Sequence, residues 1–118
     1  MVQVSGIGGV FFRAEDPEAL AAWYREVFGI EGREGFWQQD AGPTVFAPFA
    51  KDSAYFDRPE QQWMVNLRVE DLEAAITELK ARGLEVITKP EWESPYGRYA
   101  RIYDPEGNPI ELWQPSGA

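Results

Sequence analysis

The sequence predicts a small α+β domain built from a unit that occurs twice, and three observations support this. The length of 118 residues suits one domain with its own core. Residues 12–29 and 67–83 align with each other, Asp16 falling on Asp71. Short strand-like runs separated by turn residues follow each of these segments. The order strand, helix, several strands therefore appears twice.

Each copy contains a predicted helix with recognisable ends. Asp16 and Asp71 are candidate N-caps, and Pro17 suits a first helical turn. Gly29 and Gly83 stand where a left-handed C-cap is expected. The apolar residues between these ends recur at helical spacing, and they are Leu20, Trp23, Tyr24, Phe28, Leu72, Ala75, Ile76 and Leu79. Both helices should therefore bury one face.

Strands are predicted before and after both helices. The opening strands lie in "GGVFFRAED" and "WMVNLRVED", and later strands are expected at 35–39, 44–49, 85–89, 99–103 and 110–114. "DPEGNP" indicates a turn before the last strand. We expect a single domain over residues 1–118, with module one at about 4–49, a connector at 50–62 and module two at 63–115. Because each half is marginal alone, the modules should complete one core or exchange partners in a dimer.

The composition excludes several kinds of site and partner. The chain has no histidine and no cysteine, which removes disulfides, thiolate metal sites and the commonest general base near neutral pH. The formal net charge of −9 argues against a nucleic-acid partner. No apolar run approaches the length of a membrane span, and no charged leader precedes the first strand. We therefore expect a cytoplasmic protein without a membrane partner.

The paired modules, together with "FFRAEDPEALAAWYREVFGI" and "DPEGNPIELWQP", resemble the glyoxalase/bleomycin-resistance/extradiol-dioxygenase superfamily, also called vicinal oxygen chelate (VOC) proteins. The resemblance covers nearly the whole chain. It implies two βαβββ modules that form a curled mixed sheet around a cup, and association into a homodimer. It also implies a divalent metal, held by His, Glu or Gln side chains from the first and last strands of each module.

Most of the implied metal-ligand positions carry other residues. The position on the last strand of module two falls on Glu111, which is retained. The positions on the opening strands fall on Gly9 and Met64, and the run "TVFAPF" in module one contains no acid. One ligand of four cannot hold a metal as the family does, so no cofactor is expected. The remaining route to a divalent metal is a hard ion on Glu111, Asn66 and water.

Strand alternation assigns side chains to the two faces of the predicted sheet. The face toward the helices carries Val10, Phe12, Ala14, Val65, Leu67 and Val69. The predicted ligand-binding residues of the cup are Phe11, Arg13, Trp37, Met64, Asn66, Arg68, Tyr99, Arg101 and Trp113, with Tyr103 as an alternative to Tyr99 and Arg101. Each has a structural alternative. The aromatics and Met64 could fill a small core or an interface, and Arg13 or Arg68 could form ion pairs.

Glu111 faces the same cup and is the candidate catalytic residue, as a general base. The preferred interpretation gives it a structural role instead. In that role it forms an ion pair with Arg68 or Arg101, or a hydrogen bond with Asn66.

Three functions remain open at this point. The leading hypothesis is a small-molecule binding protein without the family's usual metal, similar to the drug-sequestering resistance branch, with a small organic and possibly aromatic ligand. The alternative is a lyase, isomerase or dioxygenase-like enzyme that uses Glu111 as base or metal ligand. The second alternative is a dimeric interaction module with a filled cup. The connector is also a candidate lid, through Tyr55 and Phe56.

Overall fold

Two helices and one three-stranded sheet make up the regular structure of this computed structural model, which describes residues 1–31 and 35–117. In chain order the elements are α1 (Pro17–Phe28), β1 (Val65–Arg68), α2 (Leu72–Ala81), β2 (Gly97–Tyr103) and β3 (Pro109–Pro115), with single 3₁₀ turns at Ala54–Phe56 and Pro90–Trp92. The α+β class predicted from the sequence is confirmed. Neither described helix combines the length and the apolar character needed to cross a membrane.

The helix ends are those the sequence predicted. The Asp16 carboxylate accepts a hydrogen bond from the backbone N–H of Ala19 at 3.1 Å, and Asp71 accepts the equivalent bond from Ala74 at 3.0 Å. Each bond satisfies a backbone donor that the first helical turn leaves without a partner. Gly29 ends α1 in the left-handed conformation, with φ of 71°. Local sequence alone therefore determines where both helices begin.

The sheet has the strand order β1–β3–β2, with β1 parallel and β2 antiparallel to the central β3. One face packs against the helices, and its buried core consists of Leu20, Tyr24, Leu67, Leu72, Leu79, Ala100, Ile102, Ile110 and Leu112. Ile110 and Leu112 on β3 are completely buried, and each contributes about 1.5–3 kcal/mol of hydrophobic stabilisation. The opposite face of β3 carries Glu111 and Trp113, so the predicted alternation is confirmed here.

The turn between β2 and β3 fastens α1 to the sheet. Asp104 is buried and accepts a hydrogen bond from the Tyr24 hydroxyl at 2.8 Å. Glu106 accepts hydrogen bonds from the backbone N–H groups of Glu15 and Asp16, at 2.8 and 3.1 Å, just before α1 begins. The turn motif is therefore structural, since it connects the first helix to the second half of the chain.

The predicted strands of module one are not part of the sheet, which remains uncurled and three-stranded. Residues 9–14, 35–39 and 44–49 form no described strand. A strand needs a hydrogen-bonding neighbour, and these segments pair with neither edge of the sheet. Their apolar side chains are consequently exposed, Phe11 to 96% and Phe46 to 88%. The strand expected at 85–89 is reduced to one bridge between Ile87 and Arg101.

Candidate functional site

Glu111 lies at the centre of the open face of the sheet, half-buried on the middle strand. The register places Asn66 of β1 on one side of it and Arg101 of β2 on the other. One carboxylate oxygen accepts a hydrogen bond from the Asn66 amide at 2.6 Å, and the other accepts one from the Tyr55 hydroxyl. Both oxygens of the acid are therefore engaged. Of the roles considered for Glu111, this geometry matches the hydrogen-bonded one.

Arg101 is a buried cation surrounded by aromatic rings. The residue is only 5% exposed, and its guanidinium carbon lies 4.8 Å from the ring centre of Tyr55 and 5.4 Å from that of Trp92. One guanidinium nitrogen donates to the Tyr55 carbonyl oxygen at 2.9 Å. The buried Nε has no hydrogen-bond partner among the described residues. Because burying a charge is costly, the π faces of the two rings partly replace the lost water.

The connector delivers Tyr55 to this site. Ser53 caps its 3₁₀ turn, and the Ser53 hydroxyl accepts a hydrogen bond from the Tyr55 N–H at 3.2 Å. The Phe49 ring stacks on the Tyr55 ring at 5.7 Å with an interplanar angle of 18°. Tyr103 of β2 holds the other end of the turn, donating from its hydroxyl to the Asp57 carboxylate at 3.0 Å. The connector thus places the Tyr55 hydroxyl on the Glu111 carboxylate and the Tyr55 ring over the Arg101 guanidinium, while the role of the connector as a lid stays a prediction.

The backbone is strained at Asp57, two residues after Tyr55. Asp57 has φ of 79° and ψ of −56°, and the N–H of Arg58 donates to the Phe56 carbonyl at 3.0 Å. These angles and this bond define the rare γ-turn, which a residue with a side chain adopts at a cost of about 1–3 kcal/mol. Strain of this kind persists only where surrounding contacts impose it. Here the hydrogen bonds of Tyr55 to Glu111 and of Tyr103 to Asp57 impose it.

The remaining predicted residues of module two have other partners on the same face. Arg68 donates to the Asp40 carbonyl at 2.8 Å and does not reach Glu111. Tyr99 and Trp113 stack on each other at 6.3 Å with an interplanar angle of 4°, and Trp113 is buried. Met64 is half-buried just before β1. The predicted ion pair between Arg68 and Glu111 is therefore absent from the described contacts, and the stacked pair fills one end of the face.

Three predicted site residues of module one are not brought to Glu111. Phe11 and Arg13 are exposed, and Trp37 is 45% exposed. The prediction placed them in the cup because it treated their segments as paired strands, and those segments are unpaired. Sequence reasoning also missed Trp92, which covers Arg101 from a 3₁₀ turn that follows no strand or helix periodicity. Trp92 stands between two glutamates, two residues after Pro90, and this context gave no signal of a site.

Comparison with known proteins identifies the family. A sequence model described as the glyoxalase-like domain matches residues 9–113. The chain belongs to this family. The glyoxalase-like chain is also similar to the crystal structure of TnmS3, an antibiotic binding protein from Streptomyces sp. CB03234. The two are 26% identical over 98% of this chain and 100% of that one, with a TM-score of 0.63.

A second structural neighbour supports the fold of the glyoxalase-like chain. It is a glyoxylase/bleomycin resistance protein/dioxygenase domain from Frankia sp. EAN1pec, 18% identical over 97% of this chain and 100% of that one, with a TM-score of 0.57. No curated protein matches the sequence significantly. The superfamily inferred from the "DPEGNPIELWQP" segment is therefore confirmed.

The hydroxyls of Tyr55 and Tyr24 in the glyoxalase-like chain each donate to a carboxylate, and the pKa of each hydroxyl is raised. Burial raises the pKa of the Tyr55 hydroxyl above its ordinary value of 10.0, the hydrogen bond to Glu111 raises it further, and Arg101 acts in the opposite direction. Burial likewise raises the pKa of Tyr24, and the bond to Asp104 adds to the effect. Because the pKa of each hydroxyl is raised in the folded state, its contribution to folding stability is complete below pH 10. This contribution is lost progressively as the pH rises from 10 through the raised pKa.

We therefore expect Tyr55→Phe and Tyr24→Phe each to remove one tyrosine from the part of the titration above pH 10. The measurement is absorbance at 295 nm after a rapid pH jump, before the protein unfolds. If Tyr55→Phe instead removed a tyrosine that titrates near pH 10, the Tyr55 hydroxyl would not be donating to Glu111 in solution.

Proposed function

We propose that this protein binds a small planar aromatic compound on the face of the sheet that carries Arg101 and Glu111. The observation that supports this most directly is the buried guanidinium covered by two aromatic rings, beside a carboxylate that accepts hydrogen bonds. A flat cation favours flat π systems, and a neighbouring acceptor orients polar substituents on the ligand. The proposed site thus selects for shape and for hydrogen bonding.

The similarity to TnmS3 supports the same proposal. That protein is an antibiotic binding protein, and its likeness extends over 98% of this chain at 26% identity. The sequence had favoured sequestration of a small organic molecule over chemistry on it. We therefore propose binding as the function, with an antibiotic-like aromatic compound as the ligand class.

We propose further that binding proceeds without a resident metal. Each oxygen of Glu111 already accepts a hydrogen bond, and the buried Arg101 cation occupies the adjacent strand. The described residues include no group of three or more His, Cys, Asp or Glu side chains that could hold a metal ion. Gly9 has no side-chain atom that could ligate a metal, and the thioether of Met64 is a poor ligand for hard divalent ions. The donor set near Glu111 does not fit the family's metal.

The contacts of Glu111 also weigh against the enzyme hypothesis. A general base needs a free lone pair within reach of the substrate proton. Each Glu111 oxygen already accepts a hydrogen bond, one from the Asn66 amide and the other from the Tyr55 hydroxyl. We therefore propose that Glu111 acts as a hydrogen-bond acceptor held in a fixed orientation rather than as a proton acceptor.

Homodimer formation belongs to the same proposal. Large apolar side chains of module one are exposed in the described chain, among them Phe11, Phe36 and Phe46 at 88–96%. Exposed apolar surface of this kind is typical of a protein interface. The cytoplasmic location stays a prediction.

Replacing Arg101 with lysine is expected to weaken aromatic ligand binding at least tenfold. Lysine keeps the charge but loses the planar face that stacks on rings. The measurement is tryptophan fluorescence titration with a panel of planar compounds of two to four fused rings, 2-naphthol among them. Arg25→Lys, on the exposed side of α1, is the matched control and should leave affinity unchanged. Equal affinity in wild type and Arg101→Lys would contradict a site at Arg101.

A further inference from the structure

We propose that Tyr55 occupies the site as an internal substitute for the ligand, and that the ligand is a phenol. This inference rests on the small-molecule binding function proposed above and specifies the chemical class that is bound. In the structure the protein itself supplies an aromatic ring and a hydroxyl to Arg101 and Glu111. An incoming ligand with the same two groups would take over these contacts and displace the connector.

The contacts of Tyr55 define the chemistry of the site. Its hydroxyl donates to Glu111, its ring lies 4.8 Å from the Arg101 guanidinium carbon, and Phe49 stacks on it at 5.7 Å. The Tyr55 side chain thus combines a hydrogen-bond donor with a flat ring on which Phe49 stacks. A planar phenol carries the same donor and a ring that can stack on Phe49 in the same way.

The charges of the site exclude simpler alternatives to a phenol. A cationic amine would be attracted by Glu111 but repelled by the buried Arg101. A carboxylate ligand would be attracted by Arg101 but repelled by Glu111. A neutral phenol satisfies both groups, because its O–H donates to the carboxylate and its oxygen can also accept a hydrogen bond. The buried Nε of Arg101 is a donor that lacks such an acceptor among the residues that the structure describes.

The connector is built so that Tyr55 can leave. The residue lies in a single 3₁₀ turn of three residues, followed by the strained γ-turn at Asp57. Lys51, Asp52 and Ala54 beside it are exposed, so the apolar surface that release of the turn would uncover is that of the half-buried Tyr55 and Phe56. Asn66 remains on the other oxygen of Glu111 and keeps the carboxylate oriented when Tyr55 departs.

Competition of this kind lowers the apparent affinity of the wild-type protein. If the site is open for a fraction f of the time, the apparent dissociation constant is the intrinsic one divided by f. Removing the Tyr55 side chain should therefore raise the affinity for a phenol. The gain in affinity should be smallest for compounds that lack the hydroxyl.

The test uses p-cresol, which is the tyrosine side chain as a free molecule, and toluene, which lacks the hydroxyl. We expect Tyr55→Ala to bind p-cresol at least tenfold more tightly than wild type by isothermal titration calorimetry, and toluene at least tenfold more weakly than p-cresol. Tyr55→Phe keeps the ring over Arg101 but loses the hydroxyl bond to Glu111, so its affinity for p-cresol should lie between those of wild type and Tyr55→Ala. Tyr96→Ala removes a 74% exposed ring and serves as the matched control, with circular dichroism confirming that each variant is folded.

The outcomes separate this inference from the proposed function. If wild type and Tyr55→Ala bind 2-naphthol equally well, and both lose binding on Arg101→Lys, the site exists but Tyr55 does not compete for it. Equal affinity of Tyr55→Ala for toluene and p-cresol would show that the hydroxyl is not recognised, which also overturns the inference. If neither protein binds p-cresol or any compound of the aromatic panel, the inference and the binding function fail together.

Discussion

Replacement of Gly97 with alanine is expected to cost about 4 kcal/mol of folding free energy and to lower Tm by more than 10 °C. Gly97 begins β2 with φ of 138°, a conformation that alanine avoids. A Cβ here would overlap the Gln114 carbonyl oxygen of β3 and lie 2.8 Å from the Trp113 indole nitrogen. Neither atom can retreat easily, because one is strand backbone and the indole already donates to the Tyr96 carbonyl at 2.9 Å.

The measurement for Gly97 is urea and thermal unfolding followed by circular dichroism. Gly6→Ala is the matched control, since an added Cβ at Gly6 meets nothing within 4 Å, and its stability should stay within about 0.5 kcal/mol of wild type. A Gly97→Ala protein with wild-type Tm would show that β2 does not enter the sheet at this angle. The position of Arg101 opposite Glu111 would then also be in doubt, because it depends on the β2–β3 register that Gly97 begins.

Replacement of Asp104 with alanine should cost about 3–5 kcal/mol, the second largest effect we expect. The buried carboxylate accepts four hydrogen bonds, from the Tyr24 hydroxyl, the Glu106 N–H, the Asn108 N–H and the Asn108 side-chain amide, at 2.8–3.0 Å. Alanine would leave these donors without an acceptor in a site that water reaches poorly. Removing one partner of a buried hydrogen bond is costly because the other partner loses its solvation as well.

Two further variants sharpen the Asp104 test. Tyr24→Phe removes one of the four bonds and should cost about 1–2 kcal/mol. Asp52→Ala, at an exposed turn position, should be neutral. Near-ultraviolet circular dichroism of Trp23, which packs against Tyr24 at 5.0 Å, reports whether α1 has lost its attachment. An Asp104→Ala protein as stable as Asp52→Ala would mean that the turn does not hold the helix.

The parts of the fold that local sequence determines were predictable. Helix starts at Asp16 and Asp71 follow from capping chemistry that acts within four residues. The strand containing Glu111 follows from alternation of apolar and polar residues next to a strong turn signal. The same alternation placed Asn66 and Arg101 on the face of Glu111, because strands in register share their faces.

The parts that depend on distant partners were not predictable. Residues 9–14 and 44–49 have strand-like sequence, but strand formation requires an edge to pair with, and the sequence does not reveal which edge is available. Trp92 and Tyr55 reach the site from irregular segments without periodicity, so only tertiary contacts show where their rings lie. The ligand-binding roles of all these residues stay predictions.

The attachment of α1 has a consequence for the order of events during synthesis. Tyr24 and its acceptor Asp104 are 80 residues apart in sequence, and Glu15 and Glu106 are 91 apart. On the ribosome the first helix is complete long before the turn that secures it exists. Until β3 emerges, β1 and β2 lack the strand with which both pair, so Leu20 and Trp23 have no sheet to pack against. The nascent chain therefore carries an undocked apolar helix while the residues between α1 and β3 are synthesised, the interval in which contact with a chaperone would matter most.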